Sequence, residues 1–175
     1  MSDVLRVVPF TPDMLDPVRG FDYGEEPYQK ELADWLLNEA VAALRRGTKV
    51  WLYLNQVGEF VGYGSLGVTR WKYPDSASPR TELVIVPAVA LRKEFWRKPD
   101  GPSEERYSSQ IMRHLLNVAA AWPGDPPAVS LFVHPDNHAA IKFYERFGFQ
   151  PFFHTYTDRT TGIVYRSYTR PISRP

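Results

Sequence analysis

Asn137 and Tyr144 stand seven residues apart with Ala140 and Ile141 between them, and this is the spacing in the chain best suited to a cofactor site. A helix carrying all four would set an amide and a phenol along one edge of a groove. The flanking residues delimit that helix. Asp136 or Asn137 can accept an orphan backbone N–H at its start, and Gly148 falls just past its end, where a left-handed residue is needed. His134 and Pro135 precede it as a strand exit, and Phe149 comes after it. Aromatic residues at helical intervals are more often a buried face, and Phe143 and Phe147 are read as core. Asn137 and Tyr144, where motif, cap and stop agree, are read as functional.

The pattern Asn137-x-x-Ala140-x-x-x-Tyr144, with Gly148-Phe149 after it, resembles the second acyl-CoA-binding motif of the GNAT superfamily of N-acetyltransferases. The resemblance implies that Asn137 helps to hold the pantetheine arm. It also implies that Tyr144 lies near the thioester sulfur and protonates the departing thiolate.

Composition is compatible with such a protein. A chain of 175 residues, 43% hydrophobic and 14% aromatic, is enough for a single core, and the reading is one domain spanning residues 1–175. Twenty-one basic against 20 acidic side chains leave a formal charge of +1, which gives no bulk field for nucleic acid or an anionic membrane. The absence of cysteine excludes disulfides, thiolate catalysis and cysteine-ligated metals. The opening Met1-Ser-Asp-Val-Leu-Arg places acid and base before any apolar run, and no stretch approaches a membrane span, so the expectation is a cytoplasmic protein.

Strand and helix signals alternate as in a mixed α/β domain. Val4 to Phe10 reads as a strand, Pro12 to Val18 as a short helical segment, and Gly24 with Pro27 as a turn and helix start. Leu32, Leu36, Leu37, Ala40, Val41 and Leu44 recur at helical spacing up to Gly47. Lys49 to Leu54 and Glu59 to Thr69 read as a hairpin, and Trp71 to Arg80 as a loop. Thr81 to Leu91 is a nearly continuous apolar run suited to a strand buried on both faces, and Ile111 to Ala121 reads as a helix. Val129 to Val133 is another strand. After the motif helix, Pro151 to Thr157 and Ile163 to Thr169 flank the turn signal Asp158 to Gly162. This is the GNAT order. It implies the acyl-CoA N-acyltransferase fold, a mixed central sheet flanked by helices with a splayed central strand.

The first cofactor motif of that family departs from pattern here. GNAT proteins carry Gln/Arg-x-x-Gly-x-Gly/Ala ahead of the helix that meets the CoA diphosphate, where glycine lets backbone N–H groups approach. In this chain Arg106 and Ser108 stand at the two glycine places, and residues 92–103 form an insertion before the helix with only Gly101 for an unusual backbone angle. The segment has two readings. Arg106, Tyr107, Ser108 and Ser109, with Arg97 or Lys98, can supply N–H groups, hydroxyls and charge to a phosphate. Alternatively Ser108 merely caps a helix, and Glu104 and Glu105 compete for its positive end.

Family resemblance further implies that the backbone of Val89, Ala90 or Leu91 bonds the pantetheine amides in the manner of an added strand. Pro87 fits this, because it lacks the N–H a ladder needs and belongs at an edge or bulge. Acyl transfer to an amine also requires that a proton be removed. Glu82, placed near the start of its strand as in several GNAT enzymes, is the first candidate base, and His134 at the end of the next strand is its rival. His114, His138 and His154 have no metal-ligand spacing, so no metal site is expected.

The combined expectation is an acetyl-CoA-dependent N-acetyltransferase, with Tyr144 and Glu82 catalytic, acting on a small-molecule or protein amine by direct transfer. No membrane or nucleic-acid partner is expected, and the resemblance implies a homodimer. Two alternatives are a CoA-binding or sensing module without catalysis, and a toxin-type aminoacyl-tRNA acetyltransferase suggested by Phe21 to Gly24 with Leu32 and Leu36. Trp51, Tyr53, Tyr63, Trp71 and Tyr73 are read either as an aromatic acceptor pocket or as core packing.

Overall fold

The computed structural model describes residues 4–72, 80–96 and 106–174, excepting the side chain of Phe153. Tyr73, Arg97, Lys98, Gly101, Glu104 and Glu105 lie outside the described residues. The chain folds as two compact units, Met1–Gly67 with Ala88–Asn117, and Val68–Pro87 with Val118–Pro175.

In the first unit, strand β1 (Arg6–Pro9) pairs antiparallel with β2 (Lys49–Leu54), and β2 with the first part of β3 (Phe60–Trp71), a strand whose residues from Val68 on belong to the second unit. β1 is shorter than its apolar run suggests because the Leu5 N–H turns away to donate to Gln110 Oε1 at 2.9 Å. The segment after it makes two 3₁₀ turns, Pro12–Met14 and Asp16–Val18, rather than one helix, since Pro17 has no N–H to continue an α ladder. Pro27 then opens α1 (Pro27–Asp34), with Gln29 Oε1 accepting from the Glu26 N–H at 3.0 Å. The helical run expected up to Gly47 is present but interrupted: α1 passes through a π-helical turn, Trp35–Glu39, into α2 (Ala40–Arg45). That turn lays Trp35 parallel to Tyr63, ring centroids 5.9 Å apart, while the Tyr63 hydroxyl donates to Leu32 O at 2.5 Å. Tyr63, Phe10, Val18, Tyr23, Leu36, Ala40, Val50, Leu52 and Phe60 form one apolar core. Asn55 closes the β2–β3 hairpin, its Oδ1 accepting from the Glu59 N–H at 2.8 Å.

The apolar run from Thr81 to Leu91 is two strands, β4 (Thr81–Val86) and β5 (Val89–Leu91), separated at Pro87 and Ala88. β5 pairs antiparallel with β3, Gly62 opposite Leu91 and Gly64 opposite Val89. Helix α3 (Tyr107–Ala120) starts four residues before the expected Ile111, because Tyr107 already packs edge-on against Phe95 at 5.6 Å. Tyr107, Ile111, Met112, Leu115 and Ala119 form its buried stripe.

In the second unit β4 runs parallel to β6 (Ala128–Val133), Val84 opposite Val129, and β6 pairs antiparallel with β8 (Val164–Pro171). β8 in turn pairs antiparallel with β7 (Gln150–Thr157), giving the order β4-β6-β8-β7. Asp158 shapes the β7–β8 turn, its Oδ1 accepting N–H bonds from Thr160 and Thr161 at 2.8 Å, and Gly162 has φ +71°. Between β6 and β7 lies α4 (His138–Arg146).

Candidate functional site

The first unit carries an outward-facing strand edge on β5. Arg92, the residue after it, donates its N–H to Val61 O at 2.9 Å, which makes that pair a hydrogen-bonded rung. Antiparallel rungs alternate. Leu91 and Val89 are therefore non-bonded positions whose N–H and C=O point away from β3, whereas Ala90 directs its groups to Tyr63. The Leu91 carbonyl agrees with this phase, because the donor it accepts is the Trp96 indole N–H, at 2.8 Å. Of the three residues expected to meet a pantetheine arm, Val89 and Leu91 thus have the suitable backbone. Arg92 anchors the strand's end: its guanidinium lies 4.0 Å over the Phe21 ring, donates to Phe60 O at 2.6 Å, and pairs with Glu59 and Glu94.

At the start of α3, Arg106 is exposed and its carbonyl accepts from the Ser109 and Gln110 N–H groups at 2.9 and 3.1 Å. The N–H groups of Tyr107 and Ser108 lie ahead of that first intrahelical bond, at the positive end of the helix. Ser108 and Ser109 are half-buried, and the first turn holds no acidic residue. The Tyr107 ring is core, so only its backbone is suited to a ligand.

In the second unit, Asn137 is the residue that caps α4: its Oδ1 accepts the Ala140 N–H at 3.2 Å, and Asp136 does not fill that role. This leaves the Asn137 amide nitrogen as the side chain's donor. Tyr144 is seven residues on, about 10 Å along the helix. Its half-buried ring lies edge-on to Phe149 at 5.9 Å, and burial pushes its phenol up to about 12. At neutral pH it therefore keeps its proton, which makes it a donor. Gly148 ends the helix at φ +82°, and the Phe149 N–H reaches back to Tyr144 O at 3.1 Å.

The two candidate bases stand at opposite ends of the parallel strand pair. Glu82 lies at the amino-terminal end of β4, 3.3 Å from Arg70, close to the turn at Gly124. His134 comes after the carboxyl end of β6, where Asn137 also begins α4; from the register, roughly 20 Å along the strands separates it from Glu82. The His134 Nδ1 accepts from the Asp136 N–H at 3.1 Å, and its ring is edge-on to Tyr165.

Residues 10–149 match the model of the acetyltransferase (GNAT) family. The chain belongs to the GNAT family. Among solved structures, this GNAT protein is similar to AtaTR bound with AcCoA, at 17% identity and TM-score 0.69, covering 98% of this chain and 95% of that one. It is also similar to a Tyr-to-Phe mutant of KacT (15% identity, TM-score 0.68, covering 97% and 95%). A third is Chaetomium thermophilum Naa20 in complex with a bisubstrate analogue (18% identity, TM-score 0.64, covering 97% and 87%). At these identities the likeness is one of fold, a mixed α/β sheet with the parallel β4–β6 pair. No curated protein sequence matches the chain.

Several aromatic residues that could have lined an acceptor pocket are core in this GNAT protein. Tyr53 and Tyr63 are buried, the Tyr53 hydroxyl is 2.9 Å from His114 Nδ1, and Trp51 lies edge-on to His114 at 5.1 Å. Trp71 belongs to the second unit, stacked on Phe152 at 5.3 Å and edge-on to His154 at 4.6 Å. Among the described residues, no group of three or more His, Asp or Glu could hold a metal ion, and no helix is long and apolar enough to cross a membrane. Gly62 and Ser65 did not emerge from the sequence, although a Gly-Tyr-Gly-Ser run inside a strand signals close backbone approach.

Proposed function

We propose that this GNAT protein is an acetyl-CoA-dependent N-acetyltransferase that moves the acetyl group to a primary amine by direct transfer in a ternary complex. The observation that carries the reading is the outward edge of β5, where Val89 and Leu91 offer backbone groups to which the two amides of pantetheine can add as a further strand. Ser108 and Ser109 offer hydroxyls and Tyr107 and Ser108 offer backbone N–H groups at a helix start, and Arg106 supplies charge for the diphosphate. The Asn137 amide nitrogen donates to the arm. Tyr144 gives its phenolic proton to the sulfur as the carbon–sulfur bond breaks and the acetyl carbon bonds the amine nitrogen.

The amine must lose a proton, and Glu82 and His134 are the assigned candidates. Strand polarity favours His134, which shares its end of the parallel pair with Asn137. In the tautomer selected by the Asp136 N–H, however, Nε2 carries the hydrogen, so His134 accepts a proton only if Nδ1 is released. Replacing each residue with Gln and comparing pH–rate profiles distinguishes them: loss of the acidic limb in one variant alone identifies the base.

Calorimetry with acetyl-CoA and with CoA tests the donor, and no heat at millimolar acetyl-CoA would end the reading. The acceptor is then sought by acetyl-CoA-dependent thiol release over three classes. Relatives of similar fold include AtaT complexed with acetyl-methionyl-tRNAfMet, the spermidine/spermine N-acetyltransferase SpeG from Vibrio cholerae, and Naa20 with its bisubstrate analogue. Aminoacyl-tRNA, polyamines and peptide amino termini are therefore the panel.

A further inference from the structure

Ser65 is fully buried in β3, and its hydroxyl makes both of its strong bonds to one residue: it donates to Ala88 O at 2.7 Å and accepts from the Ala88 N–H at 3.0 Å. Ala88 is itself buried and comes directly after Pro87, which contributes no N–H to a ladder. Without a partner, the two backbone groups of Ala88 would be buried and unsatisfied. The Ser65 hydroxyl satisfies them with a side chain, so β5 begins its pairing with β3 at Val89 opposite Gly64. The phase of the later rungs is fixed from there. A shift of one residue would exchange inward and outward positions, turning the backbone of Ala90 outward and those of Val89 and Leu91 against β3.

Gly62 supports the same arrangement. A Cβ at Gly62 would stand 2.3 Å from Ala90 O and 3.1 Å from Leu91 Cα, so only glycine lets β5 lie this close. Gly62, which sets the approach, and Ser65, which sets the phase, together present the edge.

We infer that Ser65 is a positioning residue for the acyl donor, holding Ala88 so that Val89 and Leu91 present their backbone groups to the pantetheine arm. The inference rests on the proposed use of acetyl-CoA as donor. Ser65 touches no reacting atom, and its effect passes through β5.

Three probes separate arm from nucleotide: acetyl-CoA, S-acetylpantetheine, which lacks the nucleotide, and adenosine 3′,5′-bisphosphate, which lacks the arm. Ser65→Ala is expected to weaken the first two by a common factor of about tenfold, the scale of a lost buried hydrogen bond, with affinity for the bisphosphate unchanged. Ser65→Cys, close in volume but a weak donor, should behave like Ser65→Ala. A purely structural serine predicts equal loss for all three probes or loss for none, and either result overturns the inference. Should both variants fail to fold, amide hydrogen exchange on the wild type decides the matter. S-acetylpantetheine should protect the Val89 and Leu91 amides and leave Ala90 unaltered, and protection at Ala90 instead overturns it. If the wild type takes up neither acetyl-CoA nor S-acetylpantetheine, the donor reading fails and carries this inference with it. If the wild type binds them and Ser65→Ala binds them equally well, only the role of Ser65 falls.

Discussion

Tyr144 combines a polar tip with a ring held against Phe149, and its proton is retained well above neutral pH. Tyr144→Phe keeps the ring and removes only the hydroxyl that carries that proton. Acetyl-CoA affinity should stay near wild type while turnover on an accepted amine falls about 100-fold to 10,000-fold, the usual span for a general acid. Wild-type turnover in the variant would assign the proton to water or the bound amine. Ser108 makes a complementary case at the other end of the donor. Ser108→Glu places a carboxylate at the helix start, so it should weaken CoA strongly and leave S-acetylpantetheine nearly unaffected in the same calorimetric comparison, because only CoA carries the diphosphate. At this scale the sequence is legible where the rule is local. A cap at Asp136 or Asn137 and a stop at Gly148 can be read from residue type and spacing alone, whereas the choice of Asn137 rests on its bond from the Ala140 N–H. Ser65 was not legible, because its partner lies 23 residues away and a serine in a strand has no signature until the strand opposite it breaks.

Among elements, α3 and β2 meet through His114 and Tyr53 inside the first unit. Burial holds the His114 imidazole below its ordinary value. For a histidine lowered on folding, the neutral form is the one the fold accommodates, so its stability is complete above about pH 6.5 and is lost as pH falls from there through the folded value. The melting temperature should therefore fall on going from pH 7 to pH 5, and His114→Gln should remove the part of that fall that belongs to this residue. An identical pH dependence in the variant would show that other groups carry it. The elements themselves were readable in order and kind because their apolar periods are strong, but their ends were set by distant partners. Leu5 left β1 for the side chain of Gln110, and α3 gained its first turn from the packing of Tyr107 on Phe95. The missing N–H of Pro87 pointed to an edge or bulge there, but the run from Thr81 to Leu91 read as one strand rather than two. The rung phase that this break sets on β5 required the register with β3.

For the whole molecule, donor binding and alkaline pH give opposite tests. At acetyl-CoA 100 times its dissociation constant, mass action should add about 2.7 kcal/mol, read as a rise in melting temperature that CoA also produces. Burial raises the phenols of Tyr23, Tyr53, Tyr63 and Tyr144. Groups raised on folding contribute their stability below the unfolded value and lose it above, so the fold should weaken steeply once pH passes about 10. Ultraviolet titration should then show these tyrosines ionising together with loss of circular dichroism rather than before it. The homodimer implied by the family resemblance is checked by light scattering, where a monomer mass would reject it.

The π-helical turn at Trp35–Glu39 can be tested by deletion. Such a turn, closed by an i→i+5 hydrogen bond, accommodates one residue more than the α-helix around it. Deleting exposed Asn38 should therefore restore a regular helix through this region instead of breaking it. The relation between its two halves would change by one residue's rotation, about 100°. With α2 held by Ala40 and Ala43 in the core, that rotation falls on α1, carrying Trp35 off Tyr63 and Leu32 O out of reach of the Tyr63 hydroxyl. The core thus depends on the extra residue, and its removal should yield a protein with more regular helix and a lower melting temperature.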